Sequence, residues 1–376
     1  MRFSFIRTLQ VAALALLTWS SALVAVPAQS PPQPLVPPAR DPVRLIFDTD
    51  IGNDVDDALA LGVIHALQSR RECRLLGVTI TKDHDDAARL VDAIDTFYGR
   101  GNIPIGVCRS GVTPEQGSFL PLAQMRDGDD LRYPRDVEDV SQLPDAVTLL
   151  RRLLSESPDG SVTIAQVGFS TNLAKLLDSP ADDLGPAGPE LVAQKVKLLS
   201  LMFGAFAPID GGEHREYNVV MDLPASQQLV ERWPTEMIFS GFEIGLTITY
   251  PAQSILEDFG YVPHHPLAEA YQLYMPTPHE RPNWDLTSVL YAVRPTRDYF
   301  SLSEPGSVTV DENGVTRHVA DPAGKHRYLI VDDRQRAQVR ESLAVLASQP
   351  PDARRRNRGQ GEAVRQAPRR NGGERP

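Results

Sequence analysis

Cysteine is nearly absent from this chain of 376 residues: there are two, Cys73 and Cys108, each beside an expected strand. That count excludes a disulfide scaffold and leaves a single pairing open. Long apolar runs are also missing after residue 28, so no stable membrane insertion is expected of the mature chain. Positive charge is scarce through the middle. The formal net charge is −11, yet the basic ends hide a central region at −18. So acidic a body is a poor nucleic-acid binder, and none is expected as a partner.

The ends differ in kind from the middle. Residues 1–28 read as a secretory signal, with Arg2 and Arg7 before an apolar stretch from Leu9 to Val24 and a small-residue site at Val26-Pro-Ala28. A retained membrane anchor is the rival reading, weakened by the interruption from Thr18 to Ser21. No cysteine follows the cleavage site, which argues against a lipid anchor there. The expected location is therefore secreted or periplasmic. Residues 29–42 are proline-rich and suit an extended linker. Residues 350–376 carry eight arginines without apolar periodicity and are expected to be a disordered basic tail. Residues 43–349 remain, enough for one large domain with a substantial core.

Strand and helix patterns alternate through that domain. Leu45–Phe47 is followed by a helix from Asp56 to Gln68, then a strand over Leu75–Ile80, a helix over Asp85–Tyr98 and a strand over Ile103–Val107. Helices are expected at Ala146–Ser155 and Asn172–Leu177, and strands at Val162–Val167, Val196–Leu201, Glu236–Phe239 and Thr247–Tyr250. The alternation predicts an α/β fold with a mostly parallel central sheet flanked by helices, Rossmann-like in kind. In such sheets ligands bind beyond the carboxyl ends of the strands, so polar residues following strands are the ones to inspect.

The densest such place is Asp48-Thr-Asp-Ile-Gly-Asn-Asp-Val-Asp-Asp-Ala58, where five aspartates crowd the step from strand to helix. Carboxylates this close repel one another strongly at reduced dielectric, and a fold accepts them when a cation, substrate hydroxyls or helix N–H groups absorb the charge. Helix capping accounts for Asp54, but not for Asp48 and Asp50, which precede the turn that Gly52 permits. Oxygen ligands without His or Cys nearby point to calcium or magnesium rather than zinc. A helix–loop–helix calcium loop does not fit, because its sixth and twelfth positions hold Asn53 and Leu59. A magnesium phosphatase with Asp48 as nucleophile is a minor rival, lacking a clear later Lys and acidic pair.

The segment resembles the amino-terminal signature of the inosine–uridine-preferring nucleoside hydrolases, usually Asp-x-Asp-Pro-Gly-x-Asp-Asp-Ala. Three further stretches resemble that family in order: Val167-Gly-Phe-Ser-Thr-Asn-Leu-Ala174, then Met202-Phe-Gly-Ala-Phe206 with Glu216-Tyr-Asn-Val-Val-Met-Asp222, then Trp284-Asp285. The resemblance implies that Asp50, Asp57, Asp285 and the backbone carbonyl of Val167 bind Ca2+, with Asp50 as general base toward a water. It implies that Asp56, Glu216 and Asn218 contact ribose hydroxyls, and that a small-molecule ribonucleoside is hydrolysed at its N-glycosidic bond, releasing ribose and base. A homo-oligomer is implied too, though no interface is legible.

Departures from the family pattern bear on the chemistry. The step from Asp50 to Asp57 is two residues longer than usual, which leaves open whether Asp54 or Asp56 reaches the sugar. His84 stands where many members place a ribose-contacting Asn, and is equally readable as a loop histidine. Trp284 stands in place of the His that protonates the leaving base in purine-active members, and indole is no general acid near neutrality. His214, His264, His265 and His279 are candidate substitutes, and Tyr271 and Tyr274 candidate covers for the base. The expectation is a calcium-dependent ribohydrolase with altered leaving-group handling. Its alternatives are a hydrolase of another ribosyl or glycosyl compound and a non-catalytic calcium-dependent sugar-binding protein.

Overall fold

In the computed structural model, which describes residues 41–352, Val43–Thr49 forms the central strand β1. Its side chains alternate between faces, Leu45 and Phe47 entering one apolar core and Ile46 the other. Covered on both sides, it reads as one apolar run rather than an alternating pattern. The signal segment, the linker through residue 40 and the tail from residue 353 lie outside the described residues.

Five more parallel strands follow: β2 (Cys73–Lys82), β3 (Ile105–Val112), β4 (Val162–Gln166), β5 (Val196–Met202) and β6 (Glu236–Ser240). Their spatial order is β3-β2-β1-β4-β5-β6. The chain thus winds outward from β1 to β3, returns to the middle, and winds the other way from β4. Beside β1 and β4 that reversal opens a crevice at the carboxyl ends, where doubly wound sheets bind ligands. Helices Asp56–Ser69, Asp85–Phe97, Trp284–Val293 and Asp333–Ala347 cover one face. Helices Ala146–Ser155, Thr171–Asp178, Gly188–Lys195 and Leu223–Arg232 cover the other.

The sheet continues past β6 in a way the sequence pattern did not disclose. Strands β7 (Gly306–Val310), β8 (Thr316–Ala320) and β9 (His326–Ile330) extend it, β9 lying parallel to β6 and β7 antiparallel to both β9 and β8. The expected strand Thr247–Tyr250 is not one. The helix Phe242–Thr247 takes its first residue, and Thr249 makes only an isolated bridge to Pro282. The edge of β6 that this segment would need is occupied by β9. Cys73 and Cys108 are both buried and free, so the pairing left open by the sequence is not made.

Candidate metal and sugar site

The crevice is built by two strand ends that nearly touch. Val167 and Gly168 donate their N–H groups to the Asp48 carbonyl at 2.7 and 3.3 Å. A Cβ on Gly168 would lie 2.5 Å from the Asp50 nitrogen and 2.7 Å from the Thr49 carbonyl carbon, both backbone atoms. Only glycine permits this approach. Beyond β1 the chain turns at Gly52, whose φ of +117° is open to glycine alone, and enters the helix Asp56–Ser69 with its acids in the first turn. Asp48 points beneath the site. It is fully buried, accepting from Thr79 Oγ1 at 2.5 Å and Asn172 Nδ2 at 2.8 Å. An acid so enclosed is no phosphatase nucleophile, which removes that rival.

A cavity of 460 Å³, in the size range of small-molecule pockets, opens over these ends. Asp50, Asp56, Asp57 and Asp285 line it, each 4% exposed or less. One carboxylate oxygen from each of Asp56, Asp57 and Asp285 lies within 4.8 Å of the others. Asp285 is brought there from far along the chain because the helix Trp284–Val293 starts against the Asp56 carboxylate, which accepts the Asp285 N–H at 3.1 Å. Asp50 sits beside this triplet, its Oδ2 taking the Asn53 Nδ2 at 2.8 Å.

Burial, and then the charges of their neighbours, push Asp56, Asp57 and Asp285 well above the ordinary carboxylate range. Burial is also the main cause raising Asp50 to about 6 and Glu216 to about 7. Such a group of acids holds full charge only with a compensating cation. An all-oxygen donor set of this density fits a hard divalent ion. The residues present therefore fit calcium.

The remaining sugar-side candidates line the same cavity. Glu216 accepts backbone N–H groups from Asn218, Val219 and Gly204 at 2.8, 3.1 and 3.2 Å, fixing its carboxylate. Asn218 donates to the Val167 carbonyl at 2.7 Å. His84 does not reach the cavity. Its Nδ1 accepts the Asp86 N–H at 3.1 Å as the cap of the helix Asp85–Phe97, and Lys82 lines the wall instead. Between Asp54 and Asp56 the geometry separates the roles: Asp54 is paired with Arg281, while Asp56 joins the triplet.

The family model for inosine-uridine preferring nucleoside hydrolases matches residues 45–349. This chain belongs to that family. Among solved structures, a plant nucleoside hydrolase aligns at 20% identity over 82% of this chain and 100% of its own, with a TM-score of 0.61. The purine-preferring ribonucleoside hydrolase of Gardnerella vaginalis aligns at 21% over 81% and 99%, TM-score 0.61. The inosine-uridine preferring nucleoside hydrolase of Bacillus anthracis gives 17% over 81% and 99%, TM-score 0.62. At these identities the likeness concerns the fold. No curated protein matches the chain.

Within this nucleoside hydrolase part of the cavity wall is aromatic, with Phe242, Tyr274 and Trp284 in its lining. The Trp284 indole packs 5.1 Å from Phe242, and its Nε1–H is spent on the Phe242 carbonyl at 2.9 Å. None of the four candidate histidines lines the cavity. His214 packs at a tilt against Phe242, His279 stacks on Tyr271, His264 binds Glu269, and His265 is buried against Tyr261. Tyr274 is a wall residue and Tyr271 is not. Sequence reading passed over Asn53, Lys82, Phe242 and Arg281. Lys82 was findable, being the charged residue at the carboxyl end of β2, where the crevice opens.

Proposed function

We propose that this protein is a calcium-dependent nucleoside N-ribohydrolase, with Asp50 as the general base. The observation that carries the reading is the meeting of four buried aspartates at the switch point between β1 and β4, in a cavity that also holds Glu216 and Asn218. Asp56, Asp57 and Asp285, with Asp50 and the Val167 carbonyl beside them, would hold the ion. When bound, calcium supplies the positive charge that lets a ribose diol and a water lie among these acids.

The protein's own groups do the rest. Asp50 takes a proton from the attacking water as the bond between C1′ and the base nitrogen breaks. Asp56, Glu216 and Asn218 orient the sugar through its hydroxyls. Fixed negative charge around the ribose favours the positive charge that develops on it in an oxocarbenium-like transition state.

Release of free ribose from uridine and inosine by the purified protein tests this. Activity should vanish with a chelator and return with added calcium. A rate indifferent to chelator, or equal in Asp50→Asn, would overturn the reading, and tight calcium-dependent ribose binding without turnover would favour a sugar-binding protein. Residues 1–28 are read as an export signal. A mature amino terminus near residue 29 is the expected result from cells that make the protein, and recovery of chain beginning at Met1 would contradict it.

A further inference from the structure

We infer that Arg281 holds the departing base, its unclaimed guanidinium arm donating to an oxygen or nitrogen acceptor on the base and stabilising the negative charge left there. The inference rests on the nucleoside reading above and fills the role that Trp284 cannot.

Elimination and geometry converge on this residue. Two cationic side chains line the cavity, Lys82 and Arg281. The Lys82 Nζ is committed to Asn53 Oδ1 at 2.7 Å and the Thr113 carbonyl at 2.8 Å, on the Asp50 side. Arg281 lies on the aromatic side, its guanidinium carbon 5.1 Å from the Tyr274 ring centre and 5.0 Å from that of Trp284. Two ring contacts thus hold the guanidinium in place. Asp54 takes one of its edges, accepting from Nε at 3.0 and 3.1 Å and from Nη2 as well. Nη1 donates to no described protein group. The indole donor beside it is spoken for, the Trp284 N–H being given to the Phe242 carbonyl at 2.9 Å.

The lengthened acidic turn gains a purpose from this arrangement. Asp54 falls within the stretch between Asp50 and Asp57 that exceeds the usual spacing, and it anchors the arginine. A guanidinium stays protonated, so Arg281 donates hydrogen bonds without surrendering a proton. The bonding pair of the C1′–N bond passes to the base, the water oxygen joins C1′, and the water proton goes to Asp50. The base departs as an anion hydrogen-bonded to Arg281 and takes its proton from solvent afterwards. The substrate class this suits is the oxo-bases, whose carbonyl oxygen accepts from Nη1 and carries part of the anion's charge.

The test compares inosine and uridine with 4-nitrophenyl riboside, whose leaving group is already a stable anion. Arg281→Gln should lower kcat/KM on the two nucleosides by about a hundredfold, the loss typical of removing one such donor. Its loss on the nitrophenyl substrate should be at least ten times smaller. Guanidinium ion added to Arg281→Ala should restore part of the inosine rate, and Arg281→Lys should fall between Gln and wild type. Equal losses on all substrates would mean that Arg281 merely props the wall, and no loss would mean that it is a bystander. Either result overturns the inference. Wild-type protein that frees ribose from none of the three overturns the nucleoside reading itself.

Discussion

At the scale of single residues, the site divides into groups that announce themselves and groups that act through partners. Asp50, Asp56 and Asp57 were legible because their crowding in one turn is unreasonable without a ligand. Asn53 and Lys82 were not, since their meaning lies in a relay from Lys82 Nζ to Asn53 and from Asn53 to Asp50 that joins positions 29 residues apart. The Asp54–Arg281 pair spans 227 residues and no local pattern marks it. Asp50→Asn keeps the shape and removes the base, so kcat/KM for ribose release should fall by about 10²–10⁴. Gly168→Ala should act on folding instead. Its methyl would meet the backbone of Asp50 and Thr49, costing about 1–3 kcal/mol in urea unfolding while also displacing Asp50.

At the scale of elements, periodicity served the parallel core well and failed at its margins. The first strands and helices appear within a few residues of expectation because their apolar runs face packed layers on both sides. Thr247–Tyr250 has the β-branched composition of a strand, but composition cannot show that β9 already holds the edge it would need. The helix Pro266–Tyr274 carries a wall residue and is capped in an unusual way: His265 Nδ1 accepts the Leu267 N–H at 3.2 Å. Burial pulls that histidine down to about 3. A folded value below the unfolded one means that the unfolded chain binds the proton first, so stability from this group is present above about pH 6.5 and lost as pH falls toward 3. Protonation would also abolish the cap. The stability advantage of wild type over His265→Gln should therefore shrink below pH 6.5, by at most about 1.4 kcal/mol per pH unit, in denaturant titrations at stepped pH.

For the whole molecule, the fold class was readable and the strand order was not. Alternating patterns imply a parallel sheet, but which neighbour each strand takes depends on crossovers that leave no residue-level mark. The reversal at β1 and β4 matters most, because it alone explains why Val167 and Asp50 share a cavity. If the central acids hold a cation as proposed, the cation should stabilise the fold. Calcium at a hundredfold excess over its Kd should add about 2.7 kcal/mol, read as a rise in Tm. Asp285→Asn should lose most of that rise while keeping the fold, whereas an equal rise in the variant would place the ion elsewhere.

The carboxylates that gather over the switch point come from the first and last thirds of the domain, Asp56 and Asp57 from one and Asp285 from the other. A nascent polypeptide therefore owns no such triplet until residue 285 has emerged and its helix has docked. Ion capture would then act as a late checkpoint, sealing only chains that extend through the helix Trp284–Val293.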